Sequence, residues 1–257
     1  MSAAAEGGRP GAGAPGWLRP AGAGDPVAPA RAAATVVLLR DGAGGPEVLM
    51  LRRTSSVAFG GLWVFPGGAV DPQDADPARP GDELAAARRA AVREAAEEAG
   101  LPVAADGLVA TALWEPPPEA PRRYRTWFFV APAPAGDVVV DGGEIDHHAW
   151  LAPADALARQ QVGEIELAPP TWMTLWRLAA DSGSAAGSAQ ALVDLASRRP
   201  AEQFRTHIAR EGERMAALWE GDAAYDGSPL DAPGPRRRLW TGPGAWRLEW
   251  PAAGGAG

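Results

Sequence analysis

The run Arg93-Glu94-Ala95-Ala96-Glu97-Glu98-Ala99-Gly100-Leu101 constrains this chain more than any other stretch. It closes a helix expected over roughly Asp82 to Ala99. Helical positions i, i+3 and i+4 share a face, so Glu94, Glu97 and Glu98 crowd onto one stripe. Val92, Ala95, Ala96 and Ala99 fall on the opposite side, which can pack on a core. Each like-charged pair at this spacing costs about a few tenths of a kcal/mol. The acids also lie toward the C-terminal end, where the helix dipole disfavours anions. Gly100 reads as the left-handed cap and Pro102 as the stop beyond it. Such an arrangement calls for compensation, and hard divalent cations such as Mg²⁺ prefer carboxylate oxygens. On these residues alone, the competing reading is a solvated acidic face.

Upstream context bears on that choice. Phe65-Pro66-Gly67-Gly68 is a tight segment in which backbone carbonyls can approach a ligand closely. A Gly-Gly turn followed by a helix carrying Arg-Glu-x-x-Glu-Glu-x-Gly resembles the box of the Nudix hydrolases. Arg93, Glu94, Ala95, Glu97, Glu98, Gly100 and Leu101 match its second half. The resemblance implies an α/β/α sandwich and hydrolysis of a diphosphate linkage with Mg²⁺ or Mn²⁺ as cofactor. It implies that Glu94, Glu97, Glu98 and the carbonyl of Gly67 hold the metal, with Glu94 also able to act on the water. Arg93 would then orient the carboxylates by charged hydrogen bonds; the competing reading is an ordinary surface ion pair.

The match has one departure. Counting back from Arg93, Ala85 occupies the position where the box has its first Glu, and Gly68 to Arg93 is eleven residues longer than the pattern. The extra residues are rich in Asp and Pro, hence a loop. Asp82 or Glu83 could take over the orienting work or merely cap the helix, and capping is the preferred reading. An insertion at this place resembles the branch containing peroxisomal-type CoA diphosphatases and their bacterial relatives.

The rest of the chain is consistent with one large domain or a domain with an appendage among its 257 residues. The first thirty-odd residues, rich in Ala, Gly and Pro with little to bury, read as a disordered tail over 1–33. A Nudix-like domain is expected over 34–163, and a helical extension ending in a β-hairpin over 164–257. Short apolar runs at Thr35–Leu39 and Val48–Leu51 flank the turn Asp41–Gly45 and predict a hairpin. Leu62–Phe65 leads into the Gly-Gly turn, and strands are expected near Leu108–Trp114, Tyr124–Val130, Val138–Val140 and Ala149–Leu151. Helical patterns follow at Pro153–Val162, Pro170–Ala180, Ala189–Arg198 and Ala201–Glu220, with a linker over 181–188. Arg237–Trp250 reads as the closing hairpin. Strands around one long helix, with more helices behind, indicate a mixed α/β (α+β) sandwich.

Composition excludes several classes. There is no Cys, hence no disulfide, thiol nucleophile or Cys-based zinc site. The net charge of −8 argues against a general nucleic-acid surface, and Arg236-Arg237-Arg238 is too short a basic run to reverse that. No secretory signal or membrane-span pattern is found, so a cytoplasmic protein is expected.

Later residues complete the candidate site. Glu144, in Gly143-Glu144-Ile145-Asp146, is the candidate additional ligand or base, with Asp146 as its substitute; a solvated turn is the competing reading. His147 and His148 are adjacent, so a strand would point them to opposite faces and a two-His metal site is not expected. Trp150 reads as core. Arg52 and Arg53 could grip phosphates through their planar donor forks, and Arg123, beside Arg122 and Tyr124, offers a second cationic patch. Arg52, Gly61 and Phe65–Gly68 match half of the signature seen in CoA-cleaving relatives. Arg53 and Val57 depart from it, and the segment Leu167–Thr171 also resembles that branch.

The substrate expected is therefore a small nucleoside diphosphate-linked molecule, first of all CoA or acyl-CoA, giving 3′,5′-ADP and (acyl-)phosphopantetheine. ADP-ribose, nucleotide-sugars or dinucleotides are the enzymatic alternative. A Nudix-fold ligand-binding or regulatory module without catalysis is the other, supported by Ala85 and Val57. The resemblance leaves room for a homodimer.

Overall fold

The computed structural model describes residues 29–54, 60–120, 122–184, 187–212, 214–242 and 245–251. The expected tail falls outside this set up to position 28, and so does Val57; Arg31–Ala33, counted in that tail, instead open the first strand, because they pair with Tyr124–Thr126. Strand β1 (Arg31–Gly42) turns through Ala43 and Gly44 into β2 (Gly45–Arg53), the hairpin predicted from its apolar runs. Along β1 the residues alternate between two hydrophobic clusters. Val37 and Leu39 enter one, and Ala34, Val36 and Leu38 the other. A strand buried on both faces must lie inside a sheet covered on both sides.

The other strands are β3 (Trp63–Val64), β4 (Gly67–Ala69), β5 (Val109–Glu115), β6 (Tyr124–Pro132), β7 (Ile145–Leu151) and β8 (Glu202–Arg205). They run in the order β3-β2-β1-β6-β5-β8, with β4 on β1 and β7 on β2. Strand β6 pairs parallel along β1 from Arg31 to Leu39. The opposite edge of β1 is shared: β2 pairs with Leu39–Gly42 and β4 with Ala33–Thr35. That division holds the Phe65–Gly68 corner against the middle of the sheet, where Val36 N–H donates to Pro66 O at 2.9 Å.

Helix α1 (Glu83–Ala99) lies on one face of the sheet. Asp82 caps it by accepting from Ala85 N–H at 3.0 Å, and Gly100 ends it in the left-handed region at φ 68°. Ala87, Ala90, Ala91, Ala95 and Ala99 form its buried stripe. Small side chains let the helix approach the sheet closely. Ala96, expected on that stripe, is exposed, and Glu98 is buried instead. Val138–Val140 forms no strand. Val138 and Val140 pack beneath α1 while Val139 faces solvent, and Val139 N–H closes on Ala99 O. The alternation is there, but no neighbouring strand accepts the ladder.

Helices α2 (Pro153–Gln161), α3 (Pro169–Ser184) and α4 (Ala189–Ser197) cover the other face. Helix α3 runs four residues into the expected linker, where Ser182 Oγ donates back to Leu178 O. The helix expected over Ala201–Glu220 is not formed. This segment makes β8, β9 (His207–Glu211) and β10 (Arg214–Leu218). Gly212, at φ 60°, permits the turn between β9 and β10. The apolar spacing fitted a helix, but Phe204 stacks on Trp114 at 3.9 Å and draws β8 into the main sheet beside β5. Strands β11 (Arg238–Thr241) and β12 (Arg247–Glu249) form the predicted closing hairpin and complete a second, four-stranded antiparallel sheet.

An ion pair anchors that second sheet. Arg238 is fully buried; its Nε donates to Asp222 Oδ2 at 2.8 Å, and its Nη1 donates to Leu230 O. Asp222 also accepts from the backbone N–H groups of Ala224 and Arg237. Removing one partner of such a pair strands the other charge. Asp222→Ala should therefore cost about 3–5 kcal/mol in urea unfolding, and the paired change Asp222→Leu with Arg238→Met should recover most of it. An Asp222→Ala loss under about 1 kcal/mol would show the pair to be dispensable.

Candidate active site

The acidic stripe of α1 meets the glycine corner at close range. A Cβ on Gly67 would press on the β1 backbone, 2.5 Å from Ala34 O and 2.8 Å from Thr35 Cα, so that position needs glycine; one on Gly68 would meet the Glu94 carboxylate and displace it. Gly67 N–H donates to Glu98 Oε2 at 2.9 Å, so the corner grips the helix directly.

Two arginines divide the carboxylates. Arg93 Nη1 donates to Glu94 Oε1 at 2.8 Å and Glu97 Oε2 at 3.0 Å. Its Nη2 reaches Ala69 O at 2.9 Å and Asp74 Oδ2 at 3.0 Å. Arg53, at the end of β2, bridges Glu144 Oε2 at 2.7 Å and Glu98 Oε1 at 3.5 Å. The loop before β7 thus brings Glu144 within reach of Glu98 through Arg53, across 46 residues of sequence. Arg52 is drawn off by Asp146 at 2.7 Å. Arg123 stands elsewhere, with Nη2 donating to Pro116 O. His147 and His148 pair with Arg52 and Leu51 in the β2–β7 ladder and alternate in face, so they form no joint ligand pair. Trp150 is half-buried against the α1-side core, with Arg40 over its ring at 4.3 Å.

Asp74 is the site residue that the sequence reading missed. It is buried in a single 3-10 turn (Pro72–Asp74) and holds Arg93 through both oxygens. Counting forward from Gly68, with five residues between, lands on Asp74; counting back from Arg93 had landed on Ala85. The insertion therefore lies after the orienting acid and leaves it in place. Asp82 caps α1, as the preferred reading had it, and Glu83 pairs with Arg125. Hydrogen bonding to Asp74, foremost, pushes the Arg93 guanidinium pKa up.

Burial dominates the electrostatics of the helix acids. It raises Glu94, against the pull of Arg93. It raises Glu98 to about 7, against Gly67 N–H and Arg53, and the charges of Glu94 and Glu144 push the same way as burial. An all-oxygen donor set carrying excess, partly desolvated negative charge fits a hard divalent cation. Among the described residues, no three His, Cys, Asp or Glu side chains already converge on one ion position. Arg93 and Arg53 hold them apart in pairs.

The NUDIX domain model matches residues 29–170, more than half of the sequence, so the chain belongs to the NUDIX family. The crystal structure of a NUDIX hydrolase from Alicyclobacillus acidocaldarius is 28% identical and covers 67% of this chain and 99% of its own, with a TM-score of 0.56. A MutT NUDIX hydrolase from Burkholderia pseudomallei is 21% identical over 58% of this chain and 98% of its own, at TM-score 0.45. The NUDIX domain of Shewanella oneidensis NrtR, complexed with ADP ribose, is 18% identical over 60% and 88%, also at 0.45. No curated protein matches the chain.

The Glu98 shift has a measurable sign. The folded state keeps this proton up to about pH 7, whereas an unperturbed carboxyl releases it near 4.5. Folding takes up a proton in that window, so metal-free stability falls as pH rises from about 4.5 to about 7. In EDTA, thermal melts of Glu98→Gln should be flatter across this range than those of the wild type; equal slopes would remove burial as the cause. Asp74→Ala should lower turnover at least about tenfold, because Arg93 loses its anchor while the helix cap at Asp82 stays.

Proposed function

We propose that this protein is a divalent-metal-dependent diphosphatase that hydrolyses the phosphoanhydride of a small nucleoside diphosphate-linked molecule in the cytoplasm. The observation that carries this reading is the seating of Glu94 and Glu98 against the Gly67-Gly68 corner, with Arg93 joining Glu94 to Glu97 and Arg53 joining Glu98 to Glu144. Glu94, Glu97 and Glu98, with the Gly67 carbonyl, would hold Mg²⁺ or Mn²⁺. When bound, such cations neutralise phosphate charge and acidify water. Glu98 is presented by Gly67 N–H, and Arg93 keeps Glu94 and Glu97 in place. Glu144, on a loop and 59% exposed at its side chain, takes the proton from the attacking water. Oxygen attacks one phosphorus, the bridging P–O bond breaks, and two monophosphates leave.

Within that class, the half signature at Arg52, Gly61 and Phe65–Gly68 supports CoA or acyl-CoA. The ion pairing of Arg52 with Asp146, and of Arg53 with Glu98 and Glu144, speaks against both guanidiniums as phosphate forks. This favours ADP-ribose, nucleotide-sugars or dinucleotides over CoA. A regulatory module without catalysis loses one of its supports, since Asp74 supplies the acid that Ala85 lacks.

A substrate panel with Mg²⁺, read by mass spectrometry of the products, tests the reading. Turnover should vanish in EDTA, and Glu97→Gln and Glu98→Gln should each lower kcat by about two or more orders of magnitude with little change in fold. Near-normal rates in either variant at saturating Mg²⁺, or no turnover of any diphosphate, would refute it. Release of 3′,5′-ADP and phosphopantetheine from CoA, faster than cleavage of ADP-ribose, would restore the CoA reading.

A further inference from the structure

A cavity of about 440 Å³ opens beside the carboxylates, lined chiefly by Arg52, Arg53, Trp63, Asp146, Glu164 and Glu166. Its volume lies in the range of small-molecule sites, about 300–1,000 Å³. Arg53 joins it to the acidic cluster, since this residue lines the cavity and its guanidinium bonds Glu98 and Glu144. A molecule whose diphosphate reaches those carboxylates has its neighbouring group here.

The walls have a defined chemistry. Trp63 stands opposite Arg52 in the β2–β3 ladder, so both side chains rise from one sheet face. His147 meets the indole at 6.4 Å with the ring planes 78° apart, which fixes its tilt. The loop carrying Glu164 and Glu166 is tied to the same strand, because Trp63 N–H donates to Glu166 O at 2.9 Å. Gly163, at φ 78°, and the bond from Glu164 N–H to Arg159 O set that loop's turn off the end of α2. The two acids are therefore held near the indole by backbone hydrogen bonds.

Charge then decides what fits. Asp146, Glu164 and Glu166 contribute three carboxylates, whereas both guanidiniums already bond acids. An aromatic face takes a planar ring, and carboxylates accept from N–H and O–H donors. A further phosphate would meet like charge. We propose that this cavity is the specificity pocket for a nucleoside with an unphosphorylated ribose, its base stacked on Trp63 and its amino and hydroxyl donors turned to Glu164 and Glu166. The pocket discriminates against a 3′-phosphate such as CoA carries. The link to catalysis rests on the diphosphatase reading; the binding itself does not.

Calorimetry on the full chain in EDTA tests it with three probes: AMP, adenosine 3′,5′-bisphosphate and ribose 5-phosphate. AMP should bind at least about tenfold more tightly than the bisphosphate, and the double variant Glu164→Gln with Glu166→Gln should narrow that gap. Trp63→Ala should weaken AMP about tenfold or more and leave ribose 5-phosphate unchanged, while Trp63→Phe stays within about threefold. Equal AMP affinity in wild type and Trp63→Ala overturns the proposal. So does a bisphosphate that binds as tightly as AMP. A parallel loss of AMP and ribose 5-phosphate in both Trp63 variants would mark a merely structural tryptophan and overturn it as well. These titrations need neither metal nor turnover, so a failed substrate panel would refute the diphosphatase while leaving this result to stand or fall alone.

Discussion

The site hangs on one guanidinium. Arg93 ties together the helix that bears the acids, the strand that bears the glycines and the turn that bears Asp74. Glu94 and Glu97 repel one another, and burial of Glu94 makes that repulsion harder for water to screen. A cation placed between them offsets it, and Asp74 keeps that cation where it is needed. Bidentate pairing suits Arg for this work, because a planar fork fixes direction as well as charge. Without Asp74, Arg93 would be a side chain with several acidic neighbours and no preferred one.

Packing makes this network possible. The alanine stripe of α1 lets the helix sit low on the sheet, and the glycine corner rises to meet it. A larger residue at either place would lift the helix and open the gap between Gly67 N–H and Glu98. Glu98 is buried because the helix sits low, and its raised pKa follows from that burial. The same closeness that brings acids together also makes them poor anions until a counter-charge arrives. Arg53 supplies part of that charge and draws Glu144 in from the loop before β7.

The opposite face of the sheet is built differently. Trp114, Phe204, Trp219 and Trp250 form an aromatic cluster that joins the main sheet to the smaller one. Arg237 lies over Trp250 at 4.4 Å and bonds Glu202, which closes the cluster at its polar rim. The apolar core on this side draws residues from β1, α3, β8 and β11 together. The nucleoside cavity opens at the margin of this face, between β3 and the loop after α2. Arg53 links this cavity to the acidic cluster, since it lines the cavity and pairs with Glu98 and Glu144.

Local signals carried much of this in the sequence. The hairpin at Asp41–Gly45, the capped helix from Asp82 to Gly100 and the grouping of Glu94, Glu97 and Glu98 follow from turn chemistry, capping and helical periodicity, which act over a few residues. Non-local contacts decided the rest. The segment after Ala201 carries spacing that suits a helix, and only the stacking of Phe204 on Trp114 turns it into strands. The role of Asp74 depends on how an inserted loop folds back on α1, and that of Arg53 on a loop distant in sequence. Sequence determined which charges the chain carries and which local segments could hold them. Tertiary structure decided which charges meet, because a side chain's partner is set by the path of the whole backbone through space.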